Sequence, residues 1–290
     1  MMQSWFEHLP GAIVEDGAVR HFGAMAEEKS ALKDGTVLVA LPSRAVLAIA
    51  GDDATTLLQG QFTNDVRAAS AACAQLGGHC TPKGRLLATF LLWREADGGY
   101  RVELPASLME AFRKRLAMYV LRSRVEIADA SAETARLGLA GRDAARLAEG
   151  LFGALPTADF GIVRGAAGML LRFSPQRFEI FAPPEKALET WNRLAKDATP
   201  AGSWAWDWLD IQAGIPVIQP QTREEFVPQM VNFEALGGVS FKKGCFTGQE
   251  VVARAQHIGE VKRRMYRVHG EGENVPAPGA TVWHPGVEDG

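Results

Sequence analysis

The chain has 290 residues, of which 47% are hydrophobic and 22% are charged, and its formal net charge at pH 7 is −3. This composition is ordinary for a globular protein and excludes collagen-like, coiled-coil and disordered classes. The acidic balance argues against a generally basic nucleic-acid binder. The three cysteines are Cys73, Cys80 and Cys245. Their odd number and wide spacing predict neither a disulfide framework nor a metal site.

Hydropathy along the chain gives no targeting or membrane signal. The first residues lack the basic region and the unbroken apolar core of a signal peptide. The longest strongly apolar run, Leu86 to Trp93, is too short to cross a bilayer. The sequence therefore predicts a cytoplasmic protein with no membrane partner.

The first half of the chain alternates strand-like runs with helical patterns. The predicted strands, each rich in Val, Leu or Ile, are 37–41, 45–50, 86–93, 100–104 and 125–127. Asp97-Gly98-Gly99 predicts a hairpin between the third and fourth strands. Asp53 is a candidate N-cap for a helix after the second strand. Apolar residues at helical spacing predict an amphipathic helix from Leu108 to Leu121.

The second half repeats this mixture without a short-period repeat, which predicts mixed sheets and not regular βαβ units. Its predicted elements are 136–140, 142–149, 169–173, 178–182 and 185–195. The stretch from 216 to 238 is irregular, and long loops in compact domains are often functional. Two last strands, Met265 to Val268 and Thr281 to Trp283, predict the start of a small β unit.

The segment Lys243-Gly244-Cys245-Phe246-Thr247-Gly248-Gln249-Glu250 combines several features of a reactive site. Thr247 to Glu250 fits a capping box, which predicts a helix that starts at Thr247 and runs to about His257. Cys245 then lies near the positive end of this helix and close to Lys243, and both should favour a thiolate. The first helical amides offer an anion site. A buried structural cysteine beside an ordinary helix is the alternative.

The stretch from Phe241 to Arg254 resembles K-G-C-[F/Y]-x-G-Q-E, the signature of the YgfZ-type folate-binding proteins. These proteins are relatives of the glycine-cleavage T-protein. Similar blocks occur in family order at 59–66, 80–85, 211–216, 226–232 and 236–240, and 262–264 resembles the family's exit from the signature. The resemblance implies an α+β, GcvT-like ring of ferredoxin-like units with a C-terminal β-barrel, which is expected to be incomplete here. The implied units are 1–130 (folate-binding), 131–262 (ending in the signature helix) and 263–290 (start of the barrel).

The resemblance also implies a function. Relatives are folate-binding accessory proteins that maintain iron–sulfur enzymes, including radical enzymes that thiolate transfer RNA, so the implied partners are such enzymes and tetrahydrofolate or another folate. Cys245 and Lys243 match the family's reactive positions. The implied folate contacts are Trp206, Gln61, Asn64, Gln212, Gln249, Glu250 and Arg254. Trp204, Trp206 and Trp208 could also be plain core residues.

Several positions depart from the T-protein pattern. Leu87 or Ala88 falls where the T-protein has its catalytic aspartate, and no Asp or Glu lies between Asp65 and Glu95. Apolar side chains cannot orient a reacting amine, so aminomethyltransferase activity is not expected. The alternative function is a folate-dependent aminomethyl- or methyltransferase whose base comes from elsewhere.

Charged residues also differ from the family pattern. Arg44 replaces an aromatic residue, and Asp210-Ile211-Gln212 replaces Arg-x-Glu. Between 242 and 267, seven basic residues face two acidic ones, which suits the glutamyl tail of folate, a partner protein or a plain solvated surface. Direct transfer-RNA binding ranks last because of the overall acidity.

Overall fold

The computed structural model describes residues 5–259, 261–270 and 276–282. Within these residues, thirteen strands are formed: β1 (Ile13–Glu15), β2 (Ala18–His21), β3 (Thr36–Ala40), β4 (Arg44–Ala50), β5 (Gln75–Cys80), β6 (Leu86–Arg94), β7 (Tyr100–Pro105), β8 (Glu126–Asp129), β9 (Ala135–Gly141), β10 (Ile162–Gly165), β11 (Gly168–Ser174), β12 (Arg177–Ala182) and β13 (Thr199–Ala201). The helices are α1 (Met25–Asp34), α2 (Ala54–Gln61), α3 (Ala106–Ala117), α4 (Ala144–Phe152), α5 (Ala187–Leu194), α6 (Ser203–Ala213) and α7 (Gln249–His257).

One sheet has five antiparallel strands in the order β5-β6-β7-β4-β8. All of β6 except Arg94 is buried, because α3 packs on one face of this sheet and the six-stranded sheet approaches the other. The predicted strands and hairpin are confirmed here, and the predicted helix ends at Ala117. Asp53 directly precedes α2, but its Oδ2 accepts a hydrogen bond from the backbone amide of Arg124 (2.8 Å). The Asp53 side chain bonds no amide of α2, so its predicted capping role was wrong.

The second sheet has six strands in the order β10-β11-β12-β9-β3-β13. Its strands are antiparallel except that β13 runs parallel to β3. β3 comes from the N-terminal part of the chain and pairs with β9, so the six-stranded sheet contains strands from both sides of residue 130. The division into units at 130 and 262 stays a prediction.

The two sheets meet along an interior layer, which we call the seam. Trp93 of the five-stranded sheet packs edge-on against Phe181 of the six-stranded sheet, with ring centroids 5.1 Å apart. Leu171 also joins the core of the five-stranded sheet. Burial of large apolar side chains on both sides contributes about 25 cal/mol for each Å² removed from water, which makes this layer a main source of stability.

The chain after Pro216 contains few regular elements, as predicted, before α7 begins at Gln249. Met265 to Val268 form no strand, so this prediction was wrong. An apolar run becomes a strand only where another strand supplies hydrogen-bond partners, and no described segment does so here. Thr281 and Val282 are likewise outside any strand, while Trp283 lies beyond the described residues. The part of the chain that is described has no helix long and apolar enough to cross a membrane.

Candidate functional site

The segment from Lys243 to Glu250, here called the signature loop, docks on the end of α2. The amide of Thr247 donates to the carbonyl of Gly60 (3.0 Å), and the Thr247 hydroxyl donates to Oε1 of Gln61 (3.2 Å). Gly248 has a φ of +84°, and a Cβ added there would lie 2.4 Å from the carbonyl oxygen of Thr81. Only glycine fits both this left-handed backbone and the close approach to the β5–β6 turn.

This docking changes the start of the signature helix. Gly248 is the residue before α7, and neither Thr247 nor Glu250 forms a capping hydrogen bond at this helix start, so the predicted capping box was wrong. The Thr247 hydroxyl is directed to Gln61, and Oε1 of Gln249 accepts the amide of Phe246 (3.3 Å). Tertiary contacts with α2 outweigh the local capping interaction, which contributes only about 1 kcal/mol.

Lys243 ties the signature loop to the end of α2 from a half-buried position. Its ammonium donates to the carbonyls of Phe62 (2.6 Å) and Asn64 (2.7 Å), where the negative end of the helix dipole favours a cation. Burial lowers the pKa of Lys243 to about 8; nearby Asp65 opposes this shift and Arg67 adds to it. A lysine with such a pKa exchanges its proton near neutral pH.

The structure thus gathers five of the predicted site residues at one junction. Cys245 is exposed with a free thiol, and Lys243, Gln61, Asn64 and Gln249 surround the base of its loop. Asn64 is buried and its amide nitrogen donates to Gln75, so it supports the junction from inside. The other two predicted residues of the signature helix, Glu250 and Arg254, are exposed on α7.

A separate groove of ≈ 690 Å³ lies beside α6. Its walls are mainly apolar and come from α6, from the irregular stretch after it and from the chain around Met265. The side chains that line it include Asp210, Ile211, Leu236, Met265 and Arg267. A concave, largely apolar site of this size with a few polar groups is typical of small-molecule binding.

A buried ion cluster underlies the groove. Asp210 is 4% exposed and accepts hydrogen bonds from Arg44 (2.5 Å) and Arg177 (2.6 Å), one on each carboxylate oxygen. The guanidinium of Arg177 in turn lies 4.1 Å from the ring centroid of Trp206. Such a cation–π contact compensates part of the cost of burying a charge. Sequence analysis did not select Asp210 or Arg177, although the opposite charges of the two unusual residues, Arg44 and Asp210, were a signal.

Trp206 and Gln212 lie on α6 but are absent from the groove lining. Trp206 is 1% exposed, with Arg177 over one face and Phe173 against its edge. Stacking of a pterin on Trp206 stays a prediction, and it would require Arg177 to leave the ring. Oε1 of Gln212 accepts a hydrogen bond from Arg267 (2.5 Å), which places Gln212 next to a residue of the groove.

The position of the T-protein aspartate is filled by core residues. Leu87 and Ala88 on β6 are buried, and Ala88 pairs with His79 of β5. His79 is fully buried, and burial, with a smaller contribution from Arg115, lowers its pKa to about 3. Its imidazole is therefore neutral and lies in a cavity of only ≈ 20 Å³, room for a water molecule and not for a substrate.

The family model described as the GCVT N-terminal domain matches residues 1–242. The crystal structure of glycine cleavage system aminomethyltransferase T from Bartonella henselae is similar, with a TM-score of 0.69 and 17% identity over 85% of this chain and 72% of that chain. Heterotetrameric sarcosine oxidase from Corynebacterium sp. U-96 gives a TM-score of 0.44 and 17% identity, over 60% and 90% respectively. The first structure confirms the predicted T-protein-like α+β fold.

Proposed function

Because the chain belongs to the GCVT N-terminal domain family, we propose that it binds a folate, with tetrahydrofolate as the first candidate, in the groove beside α6. The observation that carries this proposal is the groove itself, an apolar cleft of ≈ 690 Å³ with a buried carboxylate at its floor. The volume suits a ligand of folate size, and the apolar walls suit a flat heteroaromatic ring.

The charges around the groove support an anionic ligand tail. Arg267 lines the groove and is exposed, and Lys262 and Arg263 are exposed nearby in the sequence. Arg264 is committed to Glu234 and to the carbonyl of Gln229, so it holds the chain in place. The carboxylates of a folate glutamyl tail would find their counter-charges on the first three residues.

We further propose that the protein is an accessory factor for iron–sulfur enzymes, including those that thiolate transfer RNA. The resemblance of the signature loop to YgfZ-type proteins and the exposed thiol of Cys245 support this role. One cysteine cannot hold a cluster alone, so the remaining ligands would come from a partner enzyme or a small thiol. Lys243, which is anchored on α2, would then help to orient the loop that carries Cys245.

Aminomethyl transfer by the T-protein mechanism is not expected of this chain. The side chains at the corresponding position, Leu87 and Ala88, are apolar and buried, so they can neither accept a proton nor orient an amine. We therefore expect folate binding without turnover of an aminomethyl donor.

The test is calorimetric binding of tetrahydrofolate to the wild type and to two matched surface variants. Ile211→Glu places a charge in the groove. Leu188→Glu makes the same change at another exposed aliphatic residue, on α5 and outside the groove; Ile211 is 57% and Leu188 42% exposed. We expect micromolar binding by the wild type and by Leu188→Glu, and at least a tenfold loss with Ile211→Glu. Absence of binding by the wild type would refute the ligand, and equal affinity of all three proteins would place the folate elsewhere.

A further inference from the structure

Two buried glutamates oppose each other across the seam between the sheets. Glu103 of β7 is 2% exposed and Glu179 of β12 is 1% exposed. Contacts between the sheets bracket the two side chains. Phe181, two residues after Glu179, meets Trp93 with ring centroids 5.1 Å apart. Arg177, two residues before Glu179, shares Asp210 with Arg44 of β4, the strand that pairs with β7 beside Glu103. Oε1 of each has no hydrogen-bond partner among the described residues. Two ionised carboxylates side by side in the interior repel each other because both are negatively charged. Neither can donate a hydrogen bond to the other, because an ionised carboxylate carries no proton.

Three arginines supply positive charge to this pair: Arg44 (β4), Arg136 (β9) and Arg177 (β12). The nearby aspartates act on these arginines and not on the glutamates: Asp129 on Arg136, Asp207 on Arg44, and Asp210 on Arg44 and Arg177. The three guanidinium groups have other partners. Arg44 and Arg177 donate to Asp210, and Arg136 donates to the carbonyls of Ser131 and Thr134. Within the described part of the chain, neither glutamate forms a salt bridge, so the arginines moderate the repulsion only at longer range.

We infer that Glu103 and Glu179 share one proton across the seam and thereby keep Arg44 on Asp210 at the floor of the groove. The shared proton forms a hydrogen bond between the sheets and removes one negative charge from the interior. If that proton left, a second buried carboxylate would compete with Asp210 for Arg44. The pair therefore positions the groove floor without touching a ligand.

The pH dependence follows from burial and mutual repulsion, which raise the pKa of Glu179 well above its ordinary value. In the unfolded chain a glutamate titrates near pH 4.3, so above about pH 5 the folded state holds one more proton than the unfolded state. Stability must then fall as the pH rises, and it continues to fall until the folded pair loses its proton. For one proton, the unfolding equilibrium constant rises tenfold for each pH unit in this window.

The direct test is urea unfolding of the full chain between pH 5 and pH 9. Glu179→Gln and Glu103→Gln each keep one carboxylate and supply an amide donor in place of the shared proton, and the exposed Glu133→Gln is the matched control. We expect the unfolding constant of the wild type and of Glu133→Gln to rise with pH relative to either buried variant, by up to tenfold per pH unit. Profiles parallel to the wild type for both buried variants would overturn the inference.

If a variant does not fold, infrared spectroscopy of the wild type still tests the shared proton. A protonated carboxyl band is expected at pH 7 in the wild type and in Glu133→Gln, and its absence from the wild type refutes the shared proton.

The link to the groove rests on the proposed function: tetrahydrofolate affinity of the wild type should fall at alkaline pH more steeply than that of Glu179→Gln. Equal pH profiles of affinity would refute the link, whereas absence of folate binding would refute the proposed function and leave the unfolding test intact.

Discussion

Replacement of Gly248 by alanine should release the signature loop from the body of the protein. The added Cβ would lie 2.4 Å from the carbonyl oxygen of Thr81 and 2.9 Å from Cα of Gly84, both of which are backbone atoms that cannot move aside cheaply. The left-handed φ of +84° costs a non-glycine residue about 1–2 kcal/mol. The steric overlap adds about 1–3 kcal/mol. The stability of the docked signature loop should therefore fall by about 2–5 kcal/mol.

Gly244 in the same loop provides the control. Its φ is not left-handed, and no atom of the described residues lies within 4 Å of a Cβ added there, so Gly244→Ala should cost less than about 1 kcal/mol. Hydrogen exchange of the Thr247 amide, which is bonded to Gly60, measures the docking directly. A loss of 2 kcal/mol accelerates this exchange by about 30-fold in Gly248→Ala. Similar exchange rates in the two variants would refute the argument from backbone geometry.

Two further predictions concern single side chains. Trp206→Ala should lower the free energy of unfolding by about 3–5 kcal/mol because the Trp206 side chain is 1% exposed. Trp208→Ala on the same helix, where the side chain is 42% exposed, should lower it by less than about 1 kcal/mol. Equal losses in urea unfolding would contradict the buried position of Trp206. The pKa of Lys243 is lowered in the folded state to about 8, so the unfolded state holds more protons from about pH 8 to 10 and stability should rise with pH in that range relative to Lys243→Met. Solvent screening limits this rise in the free energy of unfolding to about 1–2 kcal/mol. The control is Lys242→Met, which replaces an exposed lysine and should show the same pH dependence as the wild type. A wild type that gains no stability over Lys243→Met in this pH range would contradict the prediction.

Local sequence patterns were sufficient for the elements of the five-stranded sheet. Leu86 to Trp93 is a continuous apolar run that became β6, and Asp97-Gly98-Gly99 joined it to β7 as predicted. The signature loop was recognisable for a similar reason, since a run of unusual residue choices needs no knowledge of distant contacts. The apolar residues at the T-protein aspartate position were also readable directly from the chain.

Partners that are distant in the chain were decided by the tertiary structure. The capping pattern of Thr247 favoured a local hydrogen bond, yet its hydroxyl reached Gln61, which lies 186 residues away. β3 paired with β9, and Met265 to Val268 found no strand partner among the residues that the structure describes. Pairing depends on which edge is available and not on apolar character alone.

The same distinction applies to the candidate site. The sequence by itself determined the fold family, the choice of Cys245 as a candidate reactive residue and the apolar residues at the position of the T-protein acid. Only the tertiary structure joined Arg44 to Asp210 across 166 positions and set Glu103 opposite Glu179. A residue's sequence neighbours fix its backbone preference, whereas the energy of a buried charge depends on the groups that surround it in space.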